Sequence, residues 1–153
     1  MTHPTQALQH HHKHCDDLFA AAEALAQAGD WPACDTATAK FRAEIEAHFA
    51  TEEQVLFPAF TESTGLSGGP VAVMRMEHAQ MRELLDQMSV ASIARDGNGF
   101  RGTADTLLIL MQQHNMKEEN ILYPMCDRSL ETTGIDIGGA LSERLECACL
   151  TQI

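Results

Sequence analysis

Basic side chains are scarce in this 153-residue chain: Lys and Arg number 10 against 22 Asp and Glu, a net charge of −12. That balance argues against a nucleic-acid or anionic-membrane partner, since both select cationic surfaces. No apolar run approaches the roughly 20 residues needed to span a bilayer. No signal-peptide pattern is seen either, because the first 17 residues are polar and rich in histidine. Cysteines are few and odd in number: Cys15, Cys34, Cys126, Cys147 and Cys149. With no export signal, this predicts reduced thiols and a cytoplasmic protein rather than a disulfide framework. Cys147 and Cys149 sit at i and i+2, on different faces of a helix, and are not expected to form a thiolate pair. The alternating pattern of a half-buried strand is also missing. What remains is an all-α chain.

Short breaker clusters divide that chain into four long helical stretches. The first runs from about Thr5 to Ala28 and stops at Gly29-Asp30. Asp30 can cap the second, with Trp31 and Pro32 in its first turn, and that helix continues to about Phe60. The third starts at Pro70 or Val71 and reaches Arg95; the fourth follows Asp96-Gly97-Asn98-Gly99 and occupies about Phe100 to Arg128. A short fifth helix is expected over about 140–150. Long helices with short connections predict an up-down-up-down four-helix bundle. Residues 1–153 are read as one domain with its core over about 8–128.

The segment His48-Phe-Ala-Thr-Glu52-Glu53-Gln-Val-Leu-Phe57-Pro58 recurs 66 residues later as His114-Asn-Met-Lys-Glu118-Glu119-Asn-Ile-Leu-Tyr123-Pro124. Positions i and i+4 lie one above the other on a helix, so each copy aims an imidazole and a carboxylate at one point. The same offset relates His78 to His12, and their flanks agree. Cys15, Leu18, Phe19 and Ala22 follow His12 at the steps by which Met81, Leu84, Leu85 and Met88 follow His78. His14 is the alternative to His12, but the acidic Asp17 stands where the repeat asks for an apolar residue. The chain thus reads as a duplicated helix hairpin.

The expected metal ligands are His12, His48, His78, His114, Glu52 and Glu118. Imidazoles and carboxylates without thiolates suit iron, manganese or zinc. Two bridging glutamates, two imidazoles per metal and one oxo or hydroxo bridge make five ligands for each of two metals. One coordination position on each metal then stays open for a small molecule.

With these residues in place, the chain resembles the hemerythrin-like, HHE cation-binding family, four-helix bundles that hold a non-haem di-iron centre. The likeness covers about residues 8 to 128 and rests on the paired His-x-x-x-Glu segments, the lone histidines of helices one and three, and the aromatic-Pro endings. Oxygen-carrying hemerythrins use five histidines; here the fifth place, four before His78, is Met74. On the fourth helix the acid is Glu118 at i+4 or Glu119 at i+5, and the repeat favours Glu118. This pattern is closer to the hemerythrin-like domain of iron-centre repair proteins, whose additional N-terminal cysteine-bearing domain is expected to be absent here.

The resemblance implies a protein that binds O₂, NO or peroxide at an open metal position, in stress response or sensing. The alternatives are a di-iron oxidoreductase consuming peroxide or NO, and iron storage or donation for iron-sulfur repair. The electron donor and oligomeric state are left open. Met74, Met81, Met88, Met111 and Met116 are expected to fill the core around the centre. His3, His10, His11 and His14 are read as a solvated tail, and Tyr123 as a packing ring matching Phe57 or, near a di-iron centre, a phenol able to donate an electron.

Overall fold

The structure, a computed structural model, describes residues 3–150, with side chains through Glu146. The reading of Cys147 and Cys149 therefore falls outside the described side chains. α1 (Gln6–Ala28) is followed by α2 (Trp31–Thr51), which passes through a π-helical turn (Glu52–Leu56) into α3 (Phe57–Thr64). After α4 (Pro70–Ile93), α5 (Gly97–Lys117) passes through a second π turn (Glu118–Leu122) into α6 (Tyr123–Thr133), and α7 (Gly138–Leu150) closes the order. The described residues are all helical apart from turns and short connections.

Local chemistry places most of these boundaries. Gly29, Gly65 and Gly134 end α1, α3 and α6 with φ near +70°, a conformation that costs glycine little. The Asp30 side chain accepts the Ala33 N–H and caps α2. Asp96 does the same for Gly99, so α5 begins three residues before the Phe100 start expected from the sequence. The breakers Gly97, Asn98 and Gly99 beside Asp96 hid a cap that needs only a carboxylate and a free N–H.

α1 packs on α2, α2 on α4, α4 on α5, and α5 back on α1, which makes a helical bundle; α7 lies against α1 and α2. The order helix, helix, π turn, short helix occurs twice. Residues related by the offset of 66 can meet directly, as the half-buried Ser63 and Ser129 hydroxyls do.

Two apolar clusters fill the bundle and leave a polar layer between them. Phe19, Phe41, Phe49, Met81, Met88 and Met111 belong to one. Leu8, Leu56, Phe57, Met74, Leu122 and Tyr123 belong to the other. Along each rod the two clusters flank a histidine: Leu8 and Cys15 around His12, Ile45 and Leu56 around His48, Met74 and Met81 around His78, Met111 and Leu122 around His114. Met116 departs from the expected methionine wall, since it is exposed on the surface of α5.

Asp127 of α6 fastens the start of α1. Its Oδ1 accepts the Thr5 N–H at 3.1 Å and its Oδ2 accepts the Thr5 hydroxyl at 2.9 Å, both buried. Asp127→Ala strands two buried donors and should lower unfolding free energy by about 1–3 kcal/mol. Urea denaturation of the variant checks this, and a loss below about 0.5 kcal/mol would show that water replaces the carboxylate.

Candidate metal centre

Each of the four long rods carries one candidate ligand histidine into the polar layer, and the two that contain a π turn add a glutamate. His12 comes from α1, His48 from α2, His78 from α4 and His114 from α5; Glu52 and Glu118 are the first residues of the π turns. All six are buried, with Glu52, His78 and Glu118 fully so. Glu52, His78, His114 and Glu118 bring one ligand atom each to within 4.8 Å of one another, and so do His12, His48 and Glu118. Glu118 is common to both groups.

The π turns explain how consecutive glutamates act on one histidine. A π turn holds one more residue than an α turn and recurs at functional sites. It also spares the following proline a bond it cannot make: Phe57 N–H reaches back to Glu52 C=O, and Tyr123 N–H to Glu118 C=O. In this geometry Glu52 Oε1 lies 3.1 Å from His78 Nε2, while Glu53 Oε2 lies 2.7 Å from Nδ1 of the same ring. The second copy repeats the grip on His12: Glu118 Oε1 at 3.0 Å from Nε2 and Glu119 Oε1 at 3.2 Å from Nδ1.

The remaining histidines have partners behind them too. His114 Nδ1 lies 2.8 Å from Glu77 Oε1, and His48 Nδ1 lies 2.9 Å from His11 Nδ1. Arg82 holds Glu53 with two hydrogen bonds of 2.9 Å, and Lys117 pairs with Glu77. A carboxylate at Nδ1 keeps the ring proton there, so the Nε2 lone pair faces the cluster. The Phe49 ring stacks on His78 with centroids 4.1 Å apart and restricts its rotation.

A sequence model of the hemerythrin HHE cation binding domain matches residues 3–126. The chain belongs to that family. Two curated relatives, from Salmonella schwarzengrund (strain CVM19633) and Salmonella newport (strain SL254), are both named iron-sulfur cluster repair protein YtfE. Each is 29% identical over 94 residues, covering 53% of this chain and 41% of the relative. The match therefore spans less than half the length of these relatives. No solved structure matches it.

The donor set fits a cation of the hemerythrin family's kind. Glu52 Oε1, Glu118 Oε2, His78 Nε2 and His114 Nε2 are buried side-chain atoms without a hydrogen-bond partner. Each such atom costs about 1–3 kcal/mol when left unsatisfied. A positive ion among them satisfies all four at once. Burial pushes His78 down to about 4, which keeps its nitrogen lone pair available. Burial also holds His48 well below the usual histidine range, with the neighbouring His12 adding to it. Burial and the Glu118 charge hold Glu52 well above the carboxylate range. Burial pushes Glu118 the same way, but its neighbours Glu52, His114 and His12 outweigh it and hold Glu118 well below. Two buried carboxylates so placed favour a single shared proton, and a cation held between them would take that proton's place.

Two residues read otherwise from the sequence belong to this layer. His11 is no part of a solvated tail: it is 5% exposed and stacks on His48 with centroids 5.1 Å apart. His14 stands outside the cluster, paired with Glu44 at 3.1 Å. Tyr123 does more than pack. Its hydroxyl donates to Glu52 Oε2 at 2.8 Å and lies 3.2 Å from Glu118 Oε1. Phe57, its counterpart, stacks on His78 without a polar group. The Phe-to-Tyr difference between the two copies was the available signal for that hydroxyl.

Proposed function

We propose that this up-down-up-down bundle is a non-haem di-iron protein that takes a small oxidant or diatomic ligand, O₂, NO or peroxide, at the centre. The observation that supports it is the pair of buried His/Glu groups joined through Glu118. His78, His114 and Glu52 would hold one iron and His12 and His48 the other, with Glu118 placed to serve both groups. Iron bound there supplies an exchangeable coordination position and electrons for a small oxidant.

The chain's own residues do the rest. Glu53, Glu77 and Glu119 orient His78, His114 and His12 and fix the proton on the ring nitrogen away from the metal. Phe49, Met81 and Met111 on one side, with Leu56, Phe57 and Leu122 on the other, keep bulk water out. The Tyr123 hydroxyl is a hydrogen-bond donor already pointed at the carboxylates. No helix among the described residues is long and apolar enough to cross a membrane. The low count of basic residues fits a protein without a nucleic-acid partner, and the cytoplasm suits its free thiols.

A second reading, iron storage or donation, is favoured by the likeness to proteins named for iron-sulfur cluster repair. Metal analysis and optical spectra of iron-loaded protein, reduced anaerobically and then given O₂, NO or peroxide, separate the two. A persistent ligand-bound spectrum supports binding, and repeated consumption of the ligand with added reductant supports turnover. Iron passing to an apo-cluster protein supports donation. Loading with zinc alone, and no uptake of iron, overturns the di-iron reading.

A further inference from the structure

The duplication makes the residues behind the four histidines comparable one by one. Glu53 behind His78 corresponds to Glu119 behind His12 at the offset of 66. Glu77 behind His114 corresponds to His11 behind His48. Three corners are therefore backed by a carboxylate and the fourth by an imidazole. From this break in symmetry we infer that His11 positions His48 as the weak corner, and that the metal held by His12 and His48 is bound less firmly and leaves first.

The argument is one of charge. A ring that ligates through Nε2 carries its proton on Nδ1, and here that proton must be donated to His11 Nδ1. A carboxylate in that place brings a full negative charge and raises the basicity of the ligand; a neutral imidazole brings one lone pair. His11 Nδ1 also has the Cys15 thiol 3.6 Å away, so its lone pair is not given to His48 alone. The outward partners differ in the same sense. Glu77 is itself pinned by Lys117, whereas His11 Nε2 is buried, without a hydrogen bond, and 3.6 Å from Glu44 Oε1. The corner is also near an opening: His11 lines a cavity of about 1080 Å³ between α1 and α7, together with Ala7, His10, Ser142 and Leu145.

The inference rests on the di-iron reading, and its test separates the two. Iron(II)-loaded wild-type protein, under argon, is mixed with excess of a colorimetric iron(II) chelator and release is followed in time. Two equal phases are expected. A new carboxylate at residue 11 would face Glu44, so the comparison is E44Q against H11E/E44Q. The double variant should slow the fast phase by about 10-fold or more. The reciprocal Glu77→His weakens the opposite corner with the α1–α7 opening untouched, and should speed the slow phase by a similar factor. Circular dichroism of the iron-free proteins reports folding, and either variant carries the test if the other does not fold. Loading of about two irons with a single release phase, or a fast phase unchanged in H11E/E44Q and a slow phase unchanged in E77H, overturns this inference alone. Loading of fewer than two irons in the wild type overturns the di-iron reading and this inference with it.

Discussion

Glu118→Ala empties both metal positions, taking iron from about two per chain to near none, as di-iron carboxylate bundles depend on their bridging acids. The reason is specific to this residue. Glu118 Oε1 lies 3.0 Å from His12 Nε2 and 3.3 Å from His114 Nε2, so one carboxylate faces a histidine of each group. Single-histidine variants should behave differently. His12→Ala removes a ligand from one group only and should leave about one iron per chain, and His78→Ala should do the same for the other. Elemental analysis after anaerobic iron loading and desalting measures all three. Retention of one iron by Glu118→Ala would mean that Glu118 serves a single metal and that Glu52 alone connects the pair.

Iron loading should raise the melting temperature by on the order of 10 °C. Binding to the native state alone contributes about 4 kcal/mol when free metal is a thousand times its dissociation constant. For a chain of this size each kcal/mol moves the melting temperature by about 2–4 °C. The structural basis is the set of four buried, unpartnered atoms on Glu52, Glu118, His78 and His114, which a cation satisfies and which otherwise oppose folding. Calorimetry of chelator-treated and iron-loaded protein provides the measurement. A shift under about 2 °C would show that the cluster is preorganised without metal and that its polar atoms find partners in water.

Much of this layer is legible in the sequence alone. The i, i+4 spacing of His48 with Glu52 and of His114 with Glu118 puts each pair on one helical face, and the offset of 66 then selects His12 and His78. The structure brings these six together and leaves His14 and Glu119 outside the two groups. The π turns were foreshadowed only by Pro58 and Pro124, prolines inside otherwise helical stretches. Extending the helices smoothly through them missed the extra residue that lets Glu53 and Glu119 reach the far side of His78 and His12. His11 was misread because a run of neighbouring histidines looks like a polar tail. Its place on α1, one residue before His12 and one turn before Cys15, turns it against α2 instead.

The sequence by itself determined the helical class, the duplicated hairpin and the face on which each candidate ligand lies. Those are periodic properties, written along one helix at a time. Only the tertiary structure decided which side chain stands behind each histidine: Glu119 behind His12, His11 behind His48, Glu53 behind His78 and Glu77 behind His114. Each of these contacts joins two different helices over 25 to 107 residues of chain. Their geometry depends on how the helices are rotated and spaced against one another, and helical period carries no information about that.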